Sequence, residues 1–195
     1  MKGHGTFRAV LVLGVGPWFL AGCAVEQPEI INREQLSKVH SLAVLPFEDA
    51  PGLQGNNSGT AVAGFITTEL ARDKSYRIVE RSKLKTVLGE KDLQATDFVN
   101  SETAVRVGKM LGVEGVMVGS VSQYDMDKTT VYVHVVPVVS RDYKVGASIR
   151  IIDVSNGEII YAHSASGKSA NNFTEAGRQA ARKLLGPICA GRAGS

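Results

Sequence analysis

This chain is poor in the residues that catalysis and metal binding use most. It has two cysteines and four histidines in 195 residues. No cluster of Cys, His and carboxylates has the spacing of a zinc site. Beyond the first 22 residues only His40, His134 and His163 remain, far apart in the sequence. No serine occupies a G-x-S-x-G elbow. The glycine-rich stretch 52–59 lacks the Lys-Ser/Thr of a phosphate-binding loop, so it reads as an ordinary loop. The formal net charge is only +3, which is no electrostatic footprint for nucleic acid. Tryptophan occurs once, as Trp18. No apolar run reaches the roughly 20 residues that a spanning helix needs. These absences leave no candidate catalytic residue, metal site or bound cofactor, and the chain is not expected to be an enzyme.

What is present starts at the N-terminus. Lys2 and Arg8 form a basic leader, and 9–20 (AVLVLGVGPWFL) forms an apolar core of signal-peptide length. Leu20-Ala21-Gly22-Cys23 closes it. This pattern resembles the bacterial lipobox. The resemblance implies that residues 1–22 are removed and that Cys23 carries a thioether-linked diacylglycerol and an N-acyl chain such as palmitate. Two or three acyl chains hold a protein on a membrane where one does not. Ala24 in the next position is not the Asp that signals inner-membrane retention, so the expected site is the inner leaflet of the outer membrane. Cys189, with no partner left in its own chain, is either a buried thiol or an intermolecular half-cystine.

Residues 23–39 read as the acylated cysteine and a polar tether with Pro28. The body, 40–186, opens with the apolar run 41–47, a buried strand that Pro46 ends or confines to an edge. A Gly, Pro, Asn and Asp-rich loop follows over 48–59. Val62, Phe65, Ile66 and Leu70 share one stripe of a helix over 60–74, with Ser58 as its expected cap. Residues 76–79 form a short strand, 82–88 a helix capped by Ser82, and 101–111 a helix stopped at Gly112. A strand over 114–124 follows, with Val116 and Val118 on one face. Ser155-Asn156-Gly157 is a hairpin turn joining strands 144–154 and 158–167. A last helix starts at Asn172 or Thr174 and is ended by Gly186-Pro187, with 187–195 as a tail. The order predicts one α/β domain, a mixed sheet packed against helices in two or three layers.

Several landmarks then fall in a recognisable order: Leu42-Ala-Val-Leu-Pro-Phe47, Thr68-Glu-Leu, Tyr76-Arg-Ile-Val-Glu-Arg81, Gly108-Lys-Met-Leu-Gly-Val113, Val118-Gly-Ser-Val121, and 147–154 with Gly157-Glu158. The series covers about 41–185 and resembles the curli-assembly lipoprotein family (CsgG-like). Its closest branch is that of the ring-forming, PelC-like lipoproteins of exopolysaccharide export. The resemblance implies a cyclic homo-oligomer on the periplasmic side of the outer membrane, working in biofilm-type secretion with other envelope export proteins and an exported polymer. In the curli branch two amphipathic hairpins per subunit build a transmembrane barrel. In the exopolysaccharide branch the ring stays periplasmic, and an aromatic at the start of the last helix faces the membrane. Phe173 holds that position here.

The sequence departs from both branches at 125–143, an insertion with partial alternation. Val131, Val133 and Val135 alternate with Tyr132, His134 and Val136. A β-hairpin is expected, with the valines and Phe173 as membrane or partner contacts. Pro137 and the shortness of 129–136 argue against a full transmembrane strand, which needs about 9–11 residues. Between Gly167 and Phe173 there is no room for a second hairpin. The aspartates 49, 92, 97, 125, 127 and 142 read as surface charge, or as a repeated negative field in a ring. Lys83, Lys85, Glu90, Lys91 and Asp92 read as a solvated helix face. Two alternatives remain: a lipoprotein that activates a peptidoglycan synthase, and a true curli-type secretion channel.

Overall fold

The computed structural model describes residues 32–52 and 57–189. The chain begins with a short helix, α1 (Arg33–Lys38), whose N-cap Asn32 accepts a hydrogen bond from the backbone N–H of Gln35. Leu36 and Val39 are buried in the core. Residues 33–39, expected as tether, are therefore part of the folded body, because two apolar side chains bury there.

Five strands form one mixed sheet in the order β2-β1-β3-β4-β5. They are β1 (Ser41–Val44), β2 (Arg77–Ile78), β3 (Gly115–Val133), β4 (Val136–Asp153) and β5 (Ile159–Ser169). β1 pairs in parallel with β2 and β3; β3, β4 and β5 are antiparallel. Pro46 lies just past β1, which runs inside the sheet rather than at its edge. Alternation puts successive side chains of β1 on opposite faces. Leu42 and Val44 join the core under α1, α2 (Ser58–Asp73) and α5 (Phe173–Cys189). Ala43 and Leu45 join a second core under α3 (Arg81–Glu90) and α4 (Ser101–Leu111). The result is three layers, helices on both faces of one sheet. A β1 strand buried on both faces needs the unbroken apolar run that the sequence shows. Full burial of each such side chain contributes about 1.5–3 kcal/mol.

Helix ends follow local chemistry, with three departures. Gly112 takes the left-handed C-cap conformation (φ 67°) that stops α4. Ser58, expected to cap α2 through its side chain, is instead inside the first turn and buried. Its hydroxyl donates to Asp49 Oδ1 at 3.2 Å and accepts from the Ala50 N–H at 3.0 Å. Asp49 Oδ1 also accepts from the Gly59 N–H at 2.8 Å, so a carboxylate from the preceding loop takes the capping role. Ser82 likewise lies inside α3, which starts one residue earlier. Finally, α5 runs through Pro187 to Cys189. A proline in the last turn deprives only the Lys183 carbonyl of its donor. Lys183 is exposed, and burial of Ile188 favours continuing the turn. Gly167 lets β5 and α5 touch: a Cβ there would lie 2.0 Å from the Ala176 carbonyl oxygen.

Candidate functional site

The insertion at 125–143 continues β3 and β4 into a two-stranded hairpin. The ladder runs unbroken from Asp125↔Lys144 to Val133↔Val136, after a bulge between Val121 and Gln123. β5 stops pairing with β4 at Tyr143↔Ser169. Beyond that point the hairpin has no sheet neighbour among the described residues. Eight residues from Met126 to Val133 project about 26 Å at ~3.3 Å each. The extra hairpin expected from the sequence is present, and it is longer than the alternating segment alone.

An isolated two-stranded ribbon is marginal in water, so its root must be held. Two devices do this. On one face Phe173, the first residue of α5, stacks on Tyr124 with centroids 4.4 Å apart and rings 6° from parallel. Tyr143 meets the same ring edge-on at 5.0 Å. Burial raises the Tyr124 pKa above the usual tyrosine value. The start of α5 is itself fixed. Asn172 Oδ1 accepts from the Glu175 N–H at 2.9 Å, and Glu175 accepts from Asn171 and the Ser169 hydroxyl. Those two bonds hold the Glu175 carboxyl below the usual carboxylate range, Asn171 contributing most.

On the other face Asp127 and Asp142 stand directly opposite each other. Like charges in that register repel. Lys144 Nζ lies 2.5 Å from Asp127 and Lys168 Nζ lies 3.0 Å from Asp142. The Lys144 hydrogen bond, then its charge, lowers the Asp127 pKa, and Asp127 in turn raises that of Lys144. These aspartates are thus matched by lysines.

The tip differs from the sequence expectation. The turn falls at His134 and Val135, with His134 in the left-handed region (φ 57°). Histidine tolerates that conformation better than most residues. Val135 therefore belongs to the turn and does not continue the valine stripe. It is 89% exposed, the most exposed large apolar residue among the described residues. Pro137 does not interrupt the ladder. It pairs with Tyr132 one step from the tight turn, where antiparallel alternation points backbone groups outward and no N–H is missed. Val131 and Tyr132 are exposed as expected; the Val133 side chain lies outside the described residues. Phe173 is half-buried, its ring engaged by Tyr124 and Tyr143, so it ties the hairpin to the body. Cys23 lies outside the described residues. Val136, Val138 and Val139 extend the exposed apolar tip. Their signal was the run Val135-Val-Pro-Val-Val139, which Pro137 reads as cutting only when the turn position is unknown.

The rest of the surface offers less. A cleft of about 260 Å³ lies between α2 and α3, lined by Val44, Pro46, Ala63, Thr67, Val79 and Leu84, with no ionisable side chain. Among the described residues no three His, Cys, Asp or Glu groups gather where they would hold a metal. Among them, too, no helix is long and apolar enough to cross a membrane; this does not concern strands.

The family model described as curli production assembly/transport component CsgG matches residues 27–186. Among solved structures, the chain is similar to a PelC dodecamer from Paraburkholderia phytofirmans. That match has 14% identity and a TM-score of 0.54, covering 83% of this chain and 91% of the other. It is also similar to the lipoprotein GNA1162 from Neisseria meningitidis, at 18% identity and a TM-score of 0.52, covering 80% and 99%. No curated protein matches the sequence.

Proposed function

The chain belongs to the CsgG family, and from that premise we propose an outer-membrane lipoprotein that forms a periplasmic ring assisting export or assembly of an extracellular polymer. In this reading Cys23 carries the diacylglycerol and N-acyl chains, and residues 24–31 tether the body to the inner leaflet. The match to the family model over nearly the whole body carries the proposal. The fold shared with a PelC dodecamer supports a cyclic homo-oligomer. The work is done by shape, charge and assembly rather than by bond chemistry.

One observation favours the ring reading over the curli-type channel. β5 ends at Ser169 and α5 begins at Phe173, which leaves no second hairpin. A barrel built from two hairpins per subunit therefore lacks half its strands here. The other envelope export proteins and the polymer itself remain partners of this proposal.

The test is oligomeric state in the membrane, since lipid anchoring concentrates and orients subunits. Cysteine pairs placed across opposite edges of the body, for example at Arg77 on β2 and Lys183 on α5, are to be crosslinked in native membranes. A ladder closing at one discrete ring size is expected. Monomers across many such pairs would overturn the ring.

A further inference from the structure

We infer that the hairpin tip is a lipid-contacting finger that enters one leaflet of an anionic phospholipid membrane without crossing it.

Cross-strand partners share a face of a two-stranded ribbon, and successive residues alternate. One face of the outer hairpin carries Tyr132, Pro137 and Val139; the other carries Val131, Val136 and Val138. Val135 caps the end. Both faces and the end are therefore apolar. From 131 to 139 the sequence contains no Asp, Glu, Lys or Arg. A strand lining an aqueous pore alternates apolar with polar side chains, and this tip does not. A protein partner would have to supply apolar walls on two faces and an end at once, whereas hydrocarbon surrounds all three.

The charges behind the tip fit a headgroup layer. Lys128 and Arg141 stand opposite each other, separated from the apolar tip by Thr129, Thr130 and Ser140. Neither forms an ion pair among the described residues, while Asp127 and Asp142 are matched by Lys144 and Lys168. The stem thus presents this cationic pair near the tip, while the carboxylate of Asp125 lies three steps farther back. Five steps from Lys128 to Val133 measure about 16 Å. Half of a ~30 Å hydrocarbon core is about 15 Å. With the turn in the acyl region of one leaflet, the cationic pair reaches the phosphates. Depth is limited by the ribbon's two open edges, whose outward N–H and C=O groups find no partner in hydrocarbon. Pro137 removes one such donor.

The anchor constrains the approach. The Asn32 N–H bonds to the Ile160 carbonyl at 3.3 Å, at the end of the sheet opposite the tip. Some 15 residues of β4 separate that level from Val136, about 50 Å. The nine steps from Cys23 to Asn32 span at most about 32 Å. If lipidated Cys23 and the tip share one bilayer, with the tip about 13 Å deep, the strands must lean about 25° or more from the membrane normal.

The test uses the full chain with Trp18→Phe and Tyr132→Trp, so that the only tryptophan sits at the tip. It is reconstituted into phosphatidylcholine–phosphatidylglycerol vesicles whose acyl chains carry bromine at known depths. Quenching strongest at positions within one leaflet is expected. Val135→Asp with Val138→Asp should abolish it without changing the circular dichroism, since both sites are exposed. Lys128→Ala with Arg141→Ala should remove its dependence on phosphatidylglycerol. Strongest quenching at the midplane together with dye leakage would mean a spanning strand and overturn the inference. A tryptophan untouched by bromine would also overturn it: shielded from acrylamide, the tip lies against protein; open to acrylamide, it lies in water.

Discussion

The ring of Phe173 lies flat on that of Tyr124, 4.4 Å away and 6° from parallel. This contact joins the first residue of α5 to the last strand residue before the hairpin leaves the body. Tyr143 closes the other side at 5.0 Å. On this face the root of the projection therefore depends on one aromatic side chain at a helix start.

Phe173→Ala should loosen the hairpin more than it unfolds the body. The side chain is half-buried, so the loss is about 2 kcal/mol, below the 3–5 kcal/mol of a fully buried phenylalanine. Amide exchange across 126–142 should accelerate while β1 and α4 keep their protection. Phe173→Leu, which retains bulk but not the stack, should give an intermediate effect. Uniform acceleration over the whole domain would show that Phe173 serves the core generally.

The ionic root predicts a response to acid. Asp127 has its pKa lowered by Lys144 below the ordinary 3.8. Its contribution is complete above the unfolded value and is lost as pH falls through the folded one. Below about pH 4 amide exchange across the hairpin should therefore rise modestly, and Asp127→Asn should raise it at neutral pH. Both sites are solvated, so salt should weaken the contact as well. Exchange rates of the 126–142 amides against pH and salt measure this, and a flat profile would show that the aromatic side alone holds the root.

Much of this fold was legible because its signals are local. The apolar run Leu42–Leu45 marks a strand buried on both faces, Gly112 marks a helix stop, and Asn156-Gly157 marks a hairpin. Most of the misreadings are non-local. Ser58 has the chemistry of an N-cap, but Asp49 from the preceding loop holds that position. Residues 33–39 look polar, yet Leu36 and Val39 alone suffice to fold them onto the sheet. The turn of the hairpin had no local signal, because it contains neither Gly nor Asn. With His134 in the left-handed region the strand reverses one residue before Val135, and the alternation that counted Val135 with Val131 crosses the turn. The stack of Phe173 on two tyrosines has no signal in the sequence at all, because only the closed sheet brings those segments together.

Tyr161 ties α5 to the sheet from beneath. Its hydroxyl donates to the Leu184 carbonyl at 2.5 Å, and the side chain is fully buried. Burial, chiefly, raises its pKa far above the ordinary 10.0. A phenol whose folded pKa exceeds its unfolded one contributes fully below the unfolded value. That contribution is lost as pH rises through and beyond about 10. Tyr161→Phe should cost about 1–2 kcal/mol at neutral pH by removing the hydrogen bond. It should also flatten the loss of stability between pH ~10 and ~11.5. Urea midpoints across that range test both effects; equal slopes for the two proteins would mean that another group governs alkaline unfolding.

Cys23→Ser tests the anchor. The lipobox resemblance implies that acylation precedes signal removal, so the variant should be either released into the soluble periplasm or held unprocessed. Globomycin should block processing of the unaltered chain in the same way. If the hairpin tip touches lipid, processed Cys23→Ser protein retains a weak association with anionic membranes. Salt should strip that remainder, because the Lys128–Arg141 pair contributes to it electrostatically. Combining Cys23→Ser with Val135→Asp and Val138→Asp should then abolish membrane association altogether. One acyl chain or one apolar patch gives only marginal binding, whereas two signals together give stable anchoring. Outer-membrane fractionation before and after a salt wash separates the contributions. Cys23→Ser protein that stays with the outer membrane after the wash would show that the lipid is not the main anchor.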